Sequence, residues 1–192
     1  MNISRSTYVL SLVLILFSTE AGASGFQLNE HSARAMGMGG AFAAQALDAS
    51  AIFFNPAGLA FQHSGNMSLG STLVSLSSTF TGPVPATTTT GLKKQLFFPS
   101  NAYVAYTMDN GLAFGIGFFS PFGLGTEWPA EWDGRRIAMK TDIRTFFINP
   151  TVAYRINEQL SIGAGASYVF TDVKLKYRTR TYSTLTPPTP AA

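Results

Sequence analysis

Cysteine is absent from the 192-residue chain, which excludes disulfide staples and thiolate-ligated zinc or iron–sulfur centres. Charge is scarce as well: charged residues make up 12% of the chain, about half the ~25% of a soluble domain. Disordered chains are charge-rich and apolar-poor, so that class is excluded over most of the length. Histidine occurs only at His31 and His63. A Ser–His–Asp triad or a two-histidine metal site would have to use them, and neither sits in a supporting local motif. Both read better as satisfied or solvent-facing side chains. The net charge of +3 comes from scattered lysines and arginines, so nucleic acid is not an expected partner. No metal and no cofactor are expected. Long apolar runs are missing too. The longest, Tyr8–Phe17, stops at Ser18-Thr19-Glu20, short of the ~20 residues of a spanning helix.

What is abundant is glycine and aromatic residues, with 18 Gly, 16 Phe and 7 Tyr. The N-terminus is an export address. Met1–Arg5 is short and basic, the ten-residue run Tyr8–Phe17 follows, and Ala21-Gly22-Ala23 is a small-residue cleavage site. That order is a signal peptide over residues 1–23, with the mature chain starting at Ser24. Residues 24–65 then form a segment rich in Ala and Gly without period-2 alternation. Gly37, Gly39 and Gly40 invite a dinucleotide-fingerprint reading, but the third glycine would fall at Phe42 and no strand precedes it.

From Asn66 the pattern changes to strands. Ala102, Val104, Tyr106 and Met108 share one face; Leu112, Phe114, Ile116 and Phe118 share another, opposed by Ala113, Gly115 and Gly117. Asp109-Asn110-Gly111 between them is a tight-hairpin signal. Five strands are predicted: Asn66–Phe80, Ser100–Met108, Leu112–Phe119, Arg136–Arg155 and Leu160–Arg180. Short connections (Asp109–Gly111, Arg155–Gln159) alternate with long ones (Gly82–Pro99, Ser120–Arg135). Apolar faces of ~9–11 residues set against small residues, joined by alternating short and long connections, predict an all-β, antiparallel transmembrane barrel. A soluble β-sandwich also alternates, but its exposed face would carry Lys and Glu where this chain carries Gly, Ala and Ser. An open sheet edge in lipid leaves backbone groups unsatisfied. With residues 181–192 reading as a Pro/Thr-rich loop, the chain is expected to be the truncated N-terminal part of a longer barrel (residues 66–180), monomeric when complete.

No catalytic group stands out. Asp133 with Glu127 or Glu131 could mimic an acid/base pair, but beside Trp128, Trp132 and Gly134 these read as surface charges, and the chain is not expected to be an enzyme. A phase shift is more informative. Tyr154, Val152, Pro150, Ile148 and Phe146 form one apolar face, and the same phase continues as Arg144, Asp142 and Lys140. The opposite phase becomes apolar there, at Phe147, Ile143, Met139 and Ile137. The fifth strand repeats this: Leu160–Phe170 is followed in phase by Asp172, Lys174, Lys176, Arg178 and Arg180, with Val173, Leu175 and Tyr177 opposite. Without a bulge, the upper lumen becomes hydrophobic and the outer surface charged; a β-bulge would restore the apolar-out phase. In the first case the basic ladder stands where anionic outer-leaflet lipid would meet it.

Several stretches together resemble the FadL/TodX family of outer-membrane transporters for long-chain fatty acids and aromatic hydrocarbons. They are Ser24-Gly25-Phe26-Gln27-Leu28-Asn29-Glu30, the Ala/Gly-rich segment, Asn55-Pro56-Ala57-Gly58, Ser120–Trp128 and Ile148–Tyr154. The resemblance implies a fourteen-stranded barrel whose N-terminal segment forms a hatch in the lumen. It further implies hydrophobic ligand passing through a groove and leaving sideways where the third strand kinks. On that basis Ser24, Gly25 and Phe26 would be the mobile N-terminus and Asn55, Pro56 and Ala57 the hatch motif. Pro121, Phe122 and Gly123 would form the kink, where Pro cannot donate to a ladder and Gly tolerates unusual φ. The implied role is passive uptake across the outer membrane of a Gram-negative cell. The alternative is a secreted or surface β-domain acting as an adhesin or lectin.

Overall fold

The computed structural model describes residues 27–82, 85 and 87–179. The predicted signal peptide, Ser24, Gly25, Phe26, Arg180 and residues 181–192 lie outside the described residues.

Two short helices and a 3₁₀ turn come first: α1 (Ala33–Gly37), α2 (Ala51–Phe54) and Pro56–Phe61. Ser32 caps α1, its hydroxyl accepting from the Ala35 amide at 3.5 Å, and Pro56 opens the 3₁₀ turn, where its missing N–H costs nothing. None of the helices among the described residues is long and apolar enough to cross a membrane.

The strands are β1 (Ser64–Ser71), β2 (Val74–Leu76), β3 (Thr79–Thr81), β4 (Thr89–Gly91), β5 (Gln95–Phe97), β6 (Ser100–Thr107), β7 (Leu112–Phe119), β8 (Gly125–Glu127), β9 (Lys140–Arg155), β10 (Ser161–Gly165) and β11 (Tyr168–Lys176). The main sheet is antiparallel in the order β1-β6-β7-β9-β10, with β8 and β11 also on β9. Gly111 takes φ +82° in the β6–β7 turn, a conformation that a side chain would strain.

Three predicted strands have different bounds. The first is not one strand to Phe80 but β1, β2 and β3 separated by bends, and the Gly82–Pro99 connection is largely its partner. Met67 pairs with Val104, Val74 with Phe97 and Phe80 with Thr90. The fourth begins at Lys140, because Arg136–Met139 is wound into a turn in which the Ile137 amide donates to Gly134 at 2.8 Å. The fifth is broken at Ala166–Ser167 and ends at Lys176. Pro150 explains the break. Its carbonyl accepts from the Ala166 amide at 3.2 Å, so the donor it lacks is missing on that same edge. The register nevertheless continues: Gly165 opposes Thr151 and Tyr168 opposes Ile148, three residues on along each strand. No bulge separates the fourth strand from the fifth.

The sheet has two unlike faces. On one, Met67, Leu69, Val104, Tyr106, Phe114, Ile116, Phe118, Phe146, Val152, Tyr154, Ile162 and Phe170 are all exposed. On the other, Ala105, Ala113, Tyr103, Phe119 and Ala153 are buried against Ala46, Ala49, Ala51, Ile52, Leu59 and Ala60 of the N-terminal segment. The core therefore lies between that segment and the small-residue face, and the large apolar face is left for lipid.

Candidate functional site

The small residues of the wall let the N-terminal segment approach closely. A methyl group at Gly115 would stand 2.8 Å from Ile52 Cδ1, and one at Gly163 would stand 2.5 Å from the Ala57 nitrogen. Polar side chains fix the same contact. Ser161 Oγ donates to the Ala57 carbonyl at 2.9 Å and Thr107 Oγ1 to the Leu59 carbonyl at 2.8 Å. Within the segment Asn55 Nδ2 donates to the Ala43 carbonyl at 2.8 Å. Asn55, Pro56 and Ala57 are thus half-buried against β10.

His31 departs from its sequence reading. It is not solvent-facing: the residue is 2% exposed, and neither ring nitrogen makes a hydrogen bond of ordinary geometry. Phe53 lies 4.1 Å away and Phe119 5.6 Å away, centroid to centroid. Burial pushes its pKa down to about 4, with the Leu28 backbone pulling more weakly the other way. His63 is exposed.

The third strand is interrupted between β7 and β8. From Phe119 to Gly125 is six residues, whereas their partners Phe147 and Asp142 are five apart. The extra residue lies in Ser120–Leu124, so the strand bulges against β9 and its phase inverts. Thr145 spans the gap: its amide donates to the Phe122 carbonyl at 3.0 Å, and its hydroxyl accepts from the Phe122 amide at 3.2 Å while donating to the Phe122 carbonyl. The Pro121 carbonyl is taken by the N-terminal segment, accepting from the Leu28 amide at 2.8 Å. Gly123 has no left-handed φ. Its constraint is spatial, since a Cβ there would meet Ser120 Oγ at 3.1 Å. A hollow of about 340 Å³ bordered by Ser120, Gly123, Phe98 and Phe146 adjoins the interruption.

Among the hydrophobic lumen candidates, Phe147 packs on the core, stacked 5.5 Å from Phe119. Ile143 and Met139 are half-buried. Val173 and Leu175 are exposed on the phase of Phe147 and Ile143, Val173 opposite Ile143. Tyr177 lies just past β11. Ile137 is not on a strand: it is 85% exposed in the turn before β9. Sequence reasoning missed Tyr103, Asn101 and Thr145. Their phase along the strands marks them as inward, but nothing in it shows that the N-terminal segment covers Tyr103 and Asn101 or that Phe122 bonds Thr145.

A family profile described as outer membrane protein transport protein (OMPP1/FadL/TodX) matches residues 14–191. The chain belongs to this family. It is 29% identical over 173 residues to the long-chain fatty acid transport protein of Salmonella typhi, covering 87% of this chain and 39% of that protein. It is 28% identical over 189 residues to outer membrane protein P1 of Haemophilus influenzae, covering 88% of this chain and 40% of that one. A Pseudomonas aeruginosa FadL homologue solved by crystallography superimposes with a TM-score of 0.62 at 22% identity, over 79% of this chain and 39% of that chain. The chain thus spans about two-fifths of the length of these relatives. Membership places the chain among proteins of the outer membrane. The seven-stranded sheet is part of the family's barrel wall, and among the described residues it does not close on itself.

Proposed function

We propose that the protein takes up hydrophobic small molecules, long-chain fatty acids or aromatic hydrocarbons, passively across the outer membrane. Residues 27–65 act as a hatch on the lumen side of the wall. Ligand follows the hydrophobic hatch-side face past Phe147 and Ile143 and leaves laterally at Pro121-Phe122-Gly123. The observation that carries this reading is the junction at Pro121. The Leu28 end of the hatch bonds the Pro121 carbonyl within the strand interruption, and the hollow borders the same interruption at Ser120 and Gly123. A plug bonded to a break in the wall couples hatch movement to that break.

Gly123→Val tests the lateral route in the full-length protein. The added side chain fills the space beside Ser120, and the expected outcome is a correctly inserted barrel with uptake of a labelled fatty acid or hydrocarbon reduced several-fold. Unchanged uptake in a folded variant argues against lateral exit.

A further inference from the structure

Beyond the apolar band the exposed face changes character within two residues. In the register Phe146 faces Phe170, Arg144 faces Asp172, Asp142 faces Lys174 and Lys140 faces Lys176. On the other side of β9, Glu127 stands opposite Lys140. The Lys93 amide in turn donates to the Glu127 carbonyl at 2.8 Å. Lys93, Glu127, Lys140 and Lys176 therefore form one row across four neighbouring segments.

Much of this charge is internally paired. Arg144 holds Asp142 at 3.1 Å, Lys174 holds Asp172 at 3.3 Å, and Lys93 and Lys140 clamp Glu127 at 2.8 and 2.9 Å. The clamp holds the Glu127 carboxyl down to about 2, through the Lys93 hydrogen bond and then that from Lys140. Two corrections to the basic ladder follow. Arg178 is occupied by Glu131 at 3.2 Å and Lys174 by Asp172. What remains is Lys176, directly opposite a Lys140 that shares Glu127 with Lys93, so that two ammonium groups stand on the same face of one cross-strand pair with one carboxylate between three lysines. Like charges so placed destabilise a sheet. An anion between them reverses the sign.

We propose that Lys140 and Lys176 bind a phosphate carried by a phosphorylated glycolipid of the outer leaflet. Lys176 lies six residues beyond Phe170. At ~3.3 Å per residue and ~45° tilt, that puts it about 14 Å above the apolar band. A phospholipid headgroup zone is only ~5–8 Å deep on each side, so a phosphate mounted on a saccharide matches the height better. Both lysines lie on the side of the long connections, which in outer-membrane barrels is the cell exterior. The proposal rests on outer-membrane location, not on which ligand the protein carries.

The test is retention of lipid by the full-length protein in neutral detergent, read by native mass spectrometry with diphosphoryl lipid A, dephosphorylated lipid A and inorganic phosphate. Lys176→Gln leaves the ion pairs of Glu127, Asp142, Asp172 and Glu131 in place and is expected to weaken retention of diphosphoryl lipid A about fivefold, at ~1 kcal/mol per cation. Glu127→Gln is expected to strengthen it several-fold, an opposite sign that structural damage does not produce. Dephosphorylated lipid A is expected to bind parent and variants equally weakly, and inorganic phosphate not to be retained. Equal retention of diphosphoryl lipid A by parent and Lys176→Gln overturns the proposal. So does retention indifferent to the phosphates, or inorganic phosphate held as tightly as the lipid. Uptake measured in parallel is expected to be unchanged in Lys176→Gln, which separates failure here from failure of the transport reading.

Discussion

Gly163 of β10 lies directly beneath Ala57 of the hatch, so close that a methyl group at position 163 would stand 2.5 Å from the Ala57 nitrogen and 2.7 Å from the Pro56 carbonyl carbon. Backbone has no rotamer with which to yield. Gly163→Val is therefore expected to lift the hatch from the wall, at the ~1–3 kcal/mol typical of overpacking, while the lipid-facing residues of β10 stay as they are. Faster amide exchange across residues 46–60 with unchanged barrel amides would show it. Equal protection in variant and parent would mean that the hatch rides elsewhere.

His31 makes hatch docking sensitive to acid. Docked, its pKa is lowered to about 4 from the ordinary 6.5. Undocked and in water it binds a proton below pH ~6.5. Docking is therefore at full strength above ~6.5, weakens as pH falls towards 4, and levels off below that. The lowered value corresponds to about 3 kcal/mol across the window. The expected result is loss of hatch protection at pH 4.5 relative to pH 7.5 in the parent, with the pH dependence abolished in His31→Phe. A parent whose protection is flat over that range contradicts the assignment.

Thr145 substitutes for a ladder where the third strand breaks. Thr145→Val keeps the branched shape and removes the hydroxyl that bonds Phe122 on both its amide and carbonyl. A loss of about 1–3 kcal/mol at the junction is expected. It should appear as faster exchange of the Phe122 and Leu28 amides, and Thr145→Ser should restore protection. No difference between the valine and serine variants would remove Thr145 from the junction.

Ile52 fills the space over Gly115 and Gly117 and is 3% exposed. Ile52→Ala is expected to cost about 2–4 kcal/mol of hatch stability, measurable as a lower denaturant midpoint for a probe on the hatch. The barrel midpoint should not move.

The parts of this architecture legible in the sequence were those with a strict period. The alternation Leu112–Phe118 and the Asp109-Asn110-Gly111 turn specify the β6–β7 hairpin, and the structure pairs Tyr106 with Phe114 across it. Register offsets are different in kind. The extra residue in Ser120–Leu124 is visible only once Gly125 is seen opposite Asp142, because a bulge changes phase without changing composition. The same holds for the first hairpin. Its Thr- and Pro-rich outer part lacks an apolar face and so reads as loop, although Thr79–Thr81 pairs with Thr89–Gly91. His31 was illegible for a third reason: the segment around it has no period, and its burial comes from Phe53 together with Phe119, far along the chain.

The hatch touches the wall at Thr107 of β6, at Pro121 in the break after β7, and at Ser161 and Gly163 of β10. For the hatch, this part of the seat is complete as soon as β10 has joined β9. Its seating can therefore precede closure, and the emerging sheet would then grow around an interior already filled, with the hatch serving as a last on which the early strands are set into register.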